Sequence, residues 1–296
     1  MNNNSIPDSH IHKKIPIHFW IGILLITVSW ILIWSLSGLR SHILFFPLWT
    51  GYSLTVDSLV WIRKGISLFT RNKKKFIFLF IVSIPCWWIF ELINTRTQNW
   101  MYLGKEQFTA LQYAFYASLN FSTVIPAVFG SAELLNTFNP IQKMKKWIVI
   151  PIHKKSITII FLSGVLLLLL ILLFPKFFYP FVWLSVYLII DPVNYKLGNP
   201  SLLADLSKGN WKKVISLATG ALLCGFFWEM WNYFSYPKWT YNTPFVDFAH
   251  IFEMPVLGYI GYVPFSLELY ALYHFITKSL KKEKTEEYIN ISQDKI

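Results

Sequence analysis

Two stretches of this chain carry no charged residue over a length sufficient to cross a lipid bilayer. They run from 18 to 39 and from 156 to 175. The hydrocarbon core is about 30 Å thick, so a membrane-spanning α-helix needs about 20 mostly apolar residues. Only 14% of the residues are charged, whereas a soluble domain carries about 25%. The sequence therefore predicts a polytopic membrane protein and excludes an ordinary globular domain.

Hydropathy predicts about eight transmembrane helices, and hence an all-α polytopic membrane fold. The predicted spans are 17–39, 43–62, 75–95, 110–138, 156–175, 177–195, 213–234 and 250–277. We expect a cytoplasmic tail over 1–16, four helices within 17–140, a basic cytoplasmic linker over 141–155, four helices within 156–278 and a polar cytoplasmic tail over 279–296.

The basic residues fall in alternate loops between these spans. Lys and Arg are concentrated at 63–75, 143–155, 196–213 and 278–284. Cytoplasmic loops carry such an excess, so the pattern predicts an even number of spans and two cytoplasmic termini in a bacterial-type inner (cytoplasmic) membrane. The loops also account for the net charge of +12. We therefore expect contact with membrane lipids and no nucleic-acid partner.

Two segments of the chain repeat one pattern of residues. Residues 86–102 read CWWIFELINTRTQNWMY, and residues 224–241 read CGFFWEMWNYFSYPKWTY. In each, a cysteine is followed after five residues by a glutamate, after eight by an asparagine, and then by a W-x-Y motif. The residues concerned are Glu91, Asn94, Trp100 and Tyr102 in the first copy, and Glu229, Asn232, Trp239 and Tyr241 in the second.

The match continues on both sides of these segments. Trp49 precedes Asp57 by eight residues, as Trp183 precedes Asp191, and a Ser-x-Glu motif follows downstream in each half. The downstream glutamates are Glu133 and Glu268. Because each half holds four predicted spans, both halves enter the membrane in the same direction. We expect two parallel four-helix repeats with a cavity at their interface.

Glu229 and Asn232 are the leading candidates for chemistry. An ionisable group within a span is costly, and it is a functional-site hypothesis by default. The two residues are three apart and share one face of a helix. A carboxyl in apolar surroundings can hold a proton at neutral pH, which suits general-acid chemistry or proton coupling. The alternative, for this pair and for Glu91 with Asn94, is a structural tie between helices.

The aromatic residues near these glutamates have two interpretations. Trp100, Tyr102, Trp228, Trp239 and Tyr241 lie near the predicted outer ends of spans, where an interfacial aromatic belt is expected. Aromatic faces also line apolar ligand sites and stabilise carbocations. A belt does not require two copies at a fixed distance from a glutamate, and this recurrence favours a substrate site.

Two aspartates near predicted cytoplasmic loops have a simpler explanation. Asp57 and Asp191 precede basic loops, so ion pairs with Lys64 and Lys196 are an alternative to a functional role.

His250 and Glu253 are three apart and could supply two metal ligands. The sequence offers no set of further donors beside them, so we expect neither a metal site nor a cofactor.

The second half carries an ordered set of motifs: W-x-Y, a Gly/Pro-rich stretch, and then a proline and a glutamate on the next helix. The residues are Trp239, Tyr241, Gly258, Gly261, Pro264 and Glu268, with a fainter first copy at Trp100, Tyr102, Pro126 and Glu133. This order resembles the integral-membrane lycopene cyclase family of carotenoid biosynthesis. That family is internally repeated and is thought to protonate a polyene with membrane carboxyls, so the resemblance implies similar chemistry here.

We therefore expect an integral membrane enzyme that acts on an apolar isoprenoid or lipid by proton transfer, as a cyclase, isomerase or hydratase does. Glu229 and Glu268 would handle protons, Asn232 would orient, and Glu91 is a further catalytic candidate. The residues that we expect to bind the substrate are Trp228, Trp239, Tyr241, Asn94, Trp100, Tyr102 and Glu133. One alternative is a multi-pass carrier for a lipid or small solute that uses intramembrane glutamates as coupling sites. A second alternative is a non-catalytic lipid-binding or assembly protein.

Overall fold

The computed structural model describes residues 14–144, 146–280, 288–289 and 291, and most of them are helical. The helices are α1 Ile17–Ser35, α2 Ser41–Lys64, α3 Leu68–Arg71, α4 Lys73–Thr97, α5 Ala110–Phe121, α6 Val124–Leu135, α7 Asn139–Gln142, α8 Lys154–Leu173, α9 Pro175–Phe178, α10 Val182–Leu197, α11 Leu202–Leu206, α12 Lys212–Tyr233 and α13 Tyr262–Leu280. The strands are β1 Trp100–Leu103, β2 Lys238–Tyr241, β3 His250–Ile251 and β4 Met254–Pro255. Short 3₁₀ helices cover Lys105–Gln107, Tyr179–Phe181 and Val256–Gly261.

Six segments of the described chain are long and apolar enough to cross a membrane. They are Ile17–Ser35, Ser41–Lys64, Lys73–Thr97, Lys154–Leu173, Pro175–Leu197 and Lys212–Tyr233. Six of the predicted spans match them, with ends that differ by four residues at most. The prediction of an all-α membrane protein is confirmed apart from two short β-ribbons.

The other two predicted spans are not continuous apolar helices, so the described chain contains six such helices and not eight. The predicted span 110–138 is divided between α5 and α6. Pro126 lacks an N–H, which favours the break just before it. Ser83 of α4 donates to the carbonyl of Phe121 at 2.5 Å and accepts from the N–H of Ile125 at 3.1 Å. It thereby pairs backbone groups at the break.

The predicted span 250–277 has a different form. It begins with the β3–β4 ribbon and the 3₁₀ helix over Val256–Gly261, and only then becomes α13. This helix has 19 residues, but it is less apolar than the six candidate spans because it carries Glu268, His274 and Lys278. The Gly/Pro-rich segment is therefore an irregular wall that leads into a helix.

Close approach through glycine joins the first two helices of each half. A Cβ on Gly22 of α1 would lie 2.7 Å from the carbonyl oxygen of Gly51 in α2. In the second half, a Cβ on Gly164 of α8 would lie 2.9 Å from the backbone nitrogen of Ile189 in α10. Small residues allow membrane helices to pack backbone against backbone. Corresponding helix pairs of the two halves are therefore held by the same device.

Asp57 and Asp191 hold the short helices that follow them. Each carboxylate accepts from the hydroxyl of the serine ten residues later and from a backbone N–H twelve residues later. The contacts are Asp57 with Ser67 Oγ at 2.7 Å and Phe69 N at 2.9 Å, and Asp191 with Ser201 Oγ at 2.9 Å and Leu203 N at 2.9 Å. Asp57 Oδ2 also lies 3.3 Å from His18 Nε2. No ion pair of either aspartate with Lys64 or Lys196 is found among the described residues, and the contacts that are present support the local fold.

Candidate functional site

The two W-x-Y motifs pair with each other. Strands β1 and β2 are antiparallel, with Trp100 opposite Tyr241 and Tyr102 opposite Trp239. The two copies of the repeated pattern therefore meet in one ribbon, which joins the ends of α4 and α12. An interfacial belt does not require this backbone pairing, so the aromatic residues have a more specific place in the fold than a belt.

Asn94 and Asn232 fix the start of each strand. Asn94 Nδ2 donates to the carbonyl of Trp100 at 2.8 Å, and Asn232 Nδ2 donates to the carbonyl of Trp239 at 2.7 Å. Asn232 Oδ1 accepts from the N–H of Trp239 at 3.0 Å. The structure thus gives Asn232 a positioning role toward the strand. The sequence predicts that Asn232 orients Glu229, and no hydrogen bond between these two side chains is found in the described chain.

Each glutamate of the repeated pattern accepts a hydrogen bond from the tyrosine of its own W-x-Y motif. Tyr102 OH donates to Glu91 Oε1 at 2.6 Å, and Tyr241 OH donates to Glu229 Oε1 at 2.6 Å. The pKa of both tyrosine hydroxyls is raised well above the ordinary value, mainly by burial and secondly by the neighbouring carboxyl. Both hydroxyls therefore stay protonated and can donate to the carboxyls.

The remaining partners of the two glutamates differ. Glu91 Oε1 also accepts from the indole N–H groups of Trp87 at 2.9 Å and Trp100 at 3.0 Å. Glu229 Oε1 accepts instead from a second hydroxyl, that of Tyr262, at 2.8 Å. Glu229 is fully buried, and its Oε2 atom has no hydrogen-bond partner in the part of the chain described. Glu229 therefore has a free acceptor position and two proton-carrying neighbours.

A cavity of about 210 Å³ lies against the ribbon and is lined by both halves of the chain. Its wall is mostly aromatic and includes the tryptophans Trp49, Trp87, Trp100, Trp183, Trp228 and Trp239. Trp183 stacks on Trp100 with ring centroids 5.7 Å apart, and Tyr262 stacks on Trp228 with centroids 6.0 Å apart. Tyr102, Tyr241 and Tyr262 line the cavity, so every tyrosine that donates to Glu91 or Glu229 also belongs to the cavity wall.

The structure therefore brings some of the predicted site residues together and leaves others apart. Trp100, Tyr102, Trp228, Trp239 and Tyr241 line the cavity. Glu91, Asn94, Glu229 and Asn232 lie one contact behind that lining. Sequence reasoning missed Tyr262 and Trp87 as site residues. Tyr262 lies at the end of the Gly/Pro-rich stretch, whose irregular composition was the available signal.

Glu133 and Glu268 do not line the cavity. Glu133 accepts from Arg71 at 2.9 and 3.2 Å, so it belongs to an ion pair outside the cavity wall. Glu268 is fully buried, and neither of its carboxyl oxygens has a hydrogen-bond partner among the described residues. It lies three residues after Phe265, which does line the cavity, and therefore on the same side of α13.

His250 and Glu253, which the sequence offers as possible metal ligands, each contact another residue. His250 Nε2 lies 2.9 Å from Asp247 Oδ1, whereas Glu253 forms an ion pair with Lys238. Within the described ranges, no group of three His, Cys, Asp or Glu residues is arranged to hold a metal ion.

No protein-family model, curated protein or solved structure matches this chain. An assignment of function therefore rests on the site itself. It combines an apolar aromatic cavity with tyrosine hydroxyls that connect the cavity to buried carboxyls.

Proposed function

We propose that this protein is a membrane enzyme that rearranges an unsaturated isoprenoid or lipid by proton transfer, in the manner of a cyclase or isomerase. The observation that carries the proposal is the contact between Glu229 and two hydroxyls that face the cavity. Tyr241 and Tyr262 both donate to Glu229 Oε1, at 2.6 and 2.8 Å. A buried carboxyl is thereby connected to an apolar pocket by groups that carry protons.

The wall of the cavity suits a substrate that becomes cationic. Protonation of a carbon–carbon double bond gives a carbocation, which aromatic faces stabilise by cation–π attraction. Six tryptophans line this cavity. An apolar wall also excludes water, which would otherwise capture the cation. A hydrocarbon chain gains from burial in such a pocket through the hydrophobic effect.

The proposed reaction conserves the composition of the substrate. A proton passes from the Glu229–tyrosine pair to one carbon of a double bond, and the other carbon becomes cationic. The cation is attacked by a second double bond or shifts within the chain. A neighbouring carbon then loses a proton to the same pair, which restores the carboxyl and leaves a cyclised or isomerised product. This cycle needs no oxidant and no reductant.

Glu268 is the second group that we assign to proton handling. A carboxyl without a partner in an intramembrane helix is costly, and such groups mark functional sites by default. It lies on the side of α13 that carries Phe265 toward the cavity. We assign Glu91 a supporting part, since its Oε1 atom already accepts three hydrogen bonds from Trp87, Trp100 and Tyr102.

The architecture that we propose around this site is two parallel repeats of four crossings each. The α5–α6 pair would complete the first repeat and α13 the second. Asp57 and Asp191 make equivalent contacts in the two halves, and so do Asn94 and Asn232; both equivalences support this arrangement. The basic loops support cytoplasmic termini in a bacterial-type inner membrane. The W-x-Y, Gly/Pro and Pro–Glu order supports kinship with the lycopene cyclase family as a further proposal.

The test is expression in a bacterium that accumulates linear polyenes, followed by extraction of the pigments and lipids. We expect a new isomer of unchanged mass in cells with the wild-type chain, and also in isolated membranes after a protonophore has abolished the proton gradient. Loss of a general acid typically slows a reaction about 10²–10⁴-fold. Glu229→Gln should show a loss of that size, with a smaller loss for Tyr241→Phe, since Tyr262 still donates.

Glu106→Gln is the matched control, because Glu106 is an exposed glutamate in the 3₁₀ helix that follows β1. It should retain full activity. Full activity of a folded Glu229→Gln variant would refute the proposed role of this carboxyl. Movement of a lipid or solute across sealed, energised vesicles, with no new isomer, would instead identify a carrier.

A further inference from the structure

We propose that the substrate carries a hydroxyl group at one end, and that His42, Tyr113 and Asn120 bind it. The inference extends the proposed function, because it specifies the chemical class of the molecule in the same cavity. The three residues lie on α2 and α5, and all three line the cavity. None of them belongs to the repeated pattern that contains the glutamates.

Three buried polar atoms carry this proposal. His42 Nδ1, Tyr113 OH and Asn120 Oδ1 are shielded from solvent and have no hydrogen-bond partner among the described residues. A buried polar group that lacks a partner costs free energy, so native proteins usually satisfy such groups with protein, water or ligand. These three atoms, with Trp49 Nε1 as a fourth unpartnered atom in the cavity lining, indicate a polar group of the occupant.

The side chains are held in place by their neighbours. Asn120 Nδ2 donates to the carbonyl of His42 at 3.3 Å, which links α5 to the start of α2. The His42 ring packs edge-on against Tyr116, with centroids 4.7 Å apart. The Tyr113 ring lies 6.2 Å from that of Tyr102. The polar cluster therefore adjoins the Glu91 side of the cavity, whereas Tyr241 and Tyr262 contact Glu229.

The chemistry of the three atoms favours an alcohol. Because the Asn120 amide nitrogen already donates to a carbonyl, the unpartnered Oδ1 atom needs a donor from the ligand. Tyr113 OH can donate, and a neutral histidine ring nitrogen either donates or accepts. A hydroxyl supplies both a donor and acceptors, whereas ionised phosphate or carboxylate oxygens only accept. Two cations belong to the lining: Lys105 is exposed and lies over the Tyr113 ring, 4.4 Å from its centroid, and Lys238 is already paired with Glu253.

The experiment compares three probes that share one carbon chain: geranylgeraniol, the hydrocarbon of the same skeleton without the hydroxyl, and geranylgeranyl phosphate. Binding to the full chain in lipid nanodiscs is measured by quenching of tryptophan fluorescence, since the cavity wall contains six tryptophans. One or two hydrogen bonds correspond to about a tenfold gain in affinity. We expect the alcohol to bind about tenfold more tightly than either the hydrocarbon or the phosphate.

The variant Tyr113→Phe removes one of the three atoms and keeps the ring. It should weaken binding of the alcohol about three- to tenfold and leave binding of the hydrocarbon unchanged. Tyr116→Phe is the matched control, because its ring also lines the cavity while its hydroxyl is not one of the unpartnered atoms. It should leave both affinities unchanged. Asn120→Leu gives a second variant with the same expected pattern as Tyr113→Phe.

The outcomes separate this inference from the proposed function. Equal affinity of the wild-type protein for alcohol and hydrocarbon would overturn the hydroxyl site while an enzyme for pure hydrocarbons remained. Tighter binding of the phosphate than of the alcohol would overturn it in favour of an anionic head. Loss of proton-transfer activity in Glu229→Gln with normal alcohol binding would support both proposals. An inactive wild-type protein that binds the alcohol selectively would support this inference alone.

Discussion

Glu133 and Glu268 occupy corresponding Ser-x-Glu motifs, but the two halves of the molecule treat them differently. Both are buried, with 2% and 0% exposure. Arg71 holds Glu133 through two hydrogen bonds, whereas no described residue bonds the carboxyl of Glu268. Arg71 lies fourteen residues after Asp57, and the residue fourteen after Asp191 is Asp205. The second half thus has an acid where the first half has the cation.

This difference distinguishes a structural carboxyl from a candidate functional one. Asp205, which stands at the position corresponding to Arg71, forms an ion pair with Lys213 at 2.8 Å within the second half. A buried ion pair is strongly destabilised when one partner is removed, because the other charge loses its compensation. An unpartnered buried carboxyl provides no such stabilisation. We therefore propose that Glu133 contributes to the stability of the fold and that Glu268 contributes to activity.

The largest expected effect is that of Arg71→Met. It would remove the guanidinium that donates to buried Glu133, and removal of one partner from a buried pair costs about 3–5 kcal/mol. Thermal unfolding in detergent, followed by tryptophan fluorescence, measures the change. The double variant Arg71→Met/Glu133→Gln should recover most of it. Lys74→Met is the control on an exposed cation of the same segment, and an equal loss there would contradict the comparison.

The next effect compares the two glutamates directly. Glu133→Gln removes the charge that Arg71 compensates and should lower the free energy of unfolding by about 3 kcal/mol. Glu268→Gln removes a carboxyl without a described partner and should change stability by less than about 1 kcal/mol. The same unfolding assay gives both values, and product formation should fall for Glu268→Gln. Equal destabilisation by the two substitutions would remove the distinction between the halves.

The smallest difference in stability between variants of the two halves is expected at Asp57 and Asp191, whose contacts with the following short helices are alike. Asp57→Ala and Asp191→Ala each remove hydrogen bonds to a serine hydroxyl and to backbone N–H groups at the start of a short helix. Loss of a helix-capping group costs about 0.5–2 kcal/mol, so both variants should lose stability by similar amounts. Urea-induced unfolding of the two proteins checks this. A loss confined to Asp191→Ala would show that the common contacts have unequal weight, whereas a larger loss for Asp57→Ala would point to its additional contact with His18 Nε2 at 3.3 Å.

Much of the helical framework could be predicted from local features of the sequence. Six membrane helices are visible as apolar runs because crossing a bilayer fixes both their length and their composition. The spacing of Glu229, Asn232 and Tyr241 marks residues that the fold places together: Tyr241 lines the cavity, and Glu229 and Asn232 are hydrogen-bonded to residues that line it. The repeat of that spacing made the choice possible, since a single copy resembles an interfacial belt.

The remaining features depend on contacts between distant parts of the chain. Arg71 is 62 residues from Glu133, so hydropathy and spacing contain no sign of their pairing. The pairing of β1 with β2 also depends on how the halves meet. The division of the span 110–138 needed knowledge that Ser83 bonds the backbone on both sides of the break. His42, Tyr113 and Asn120 were missed because they repeat nowhere.

The β1–β2 ribbon acts as a seam between the halves and restricts how they can move. Rocking-bundle carriers expose a central site alternately by swinging one repeat against the other. Here four residue pairs would have to separate at one end before the halves could part. A disulfide between cysteines at Met101 and Thr240, which are partners across the ribbon, would close the seam permanently. A fixed reaction chamber would continue to work behind that closure, whereas a rocking carrier would stop.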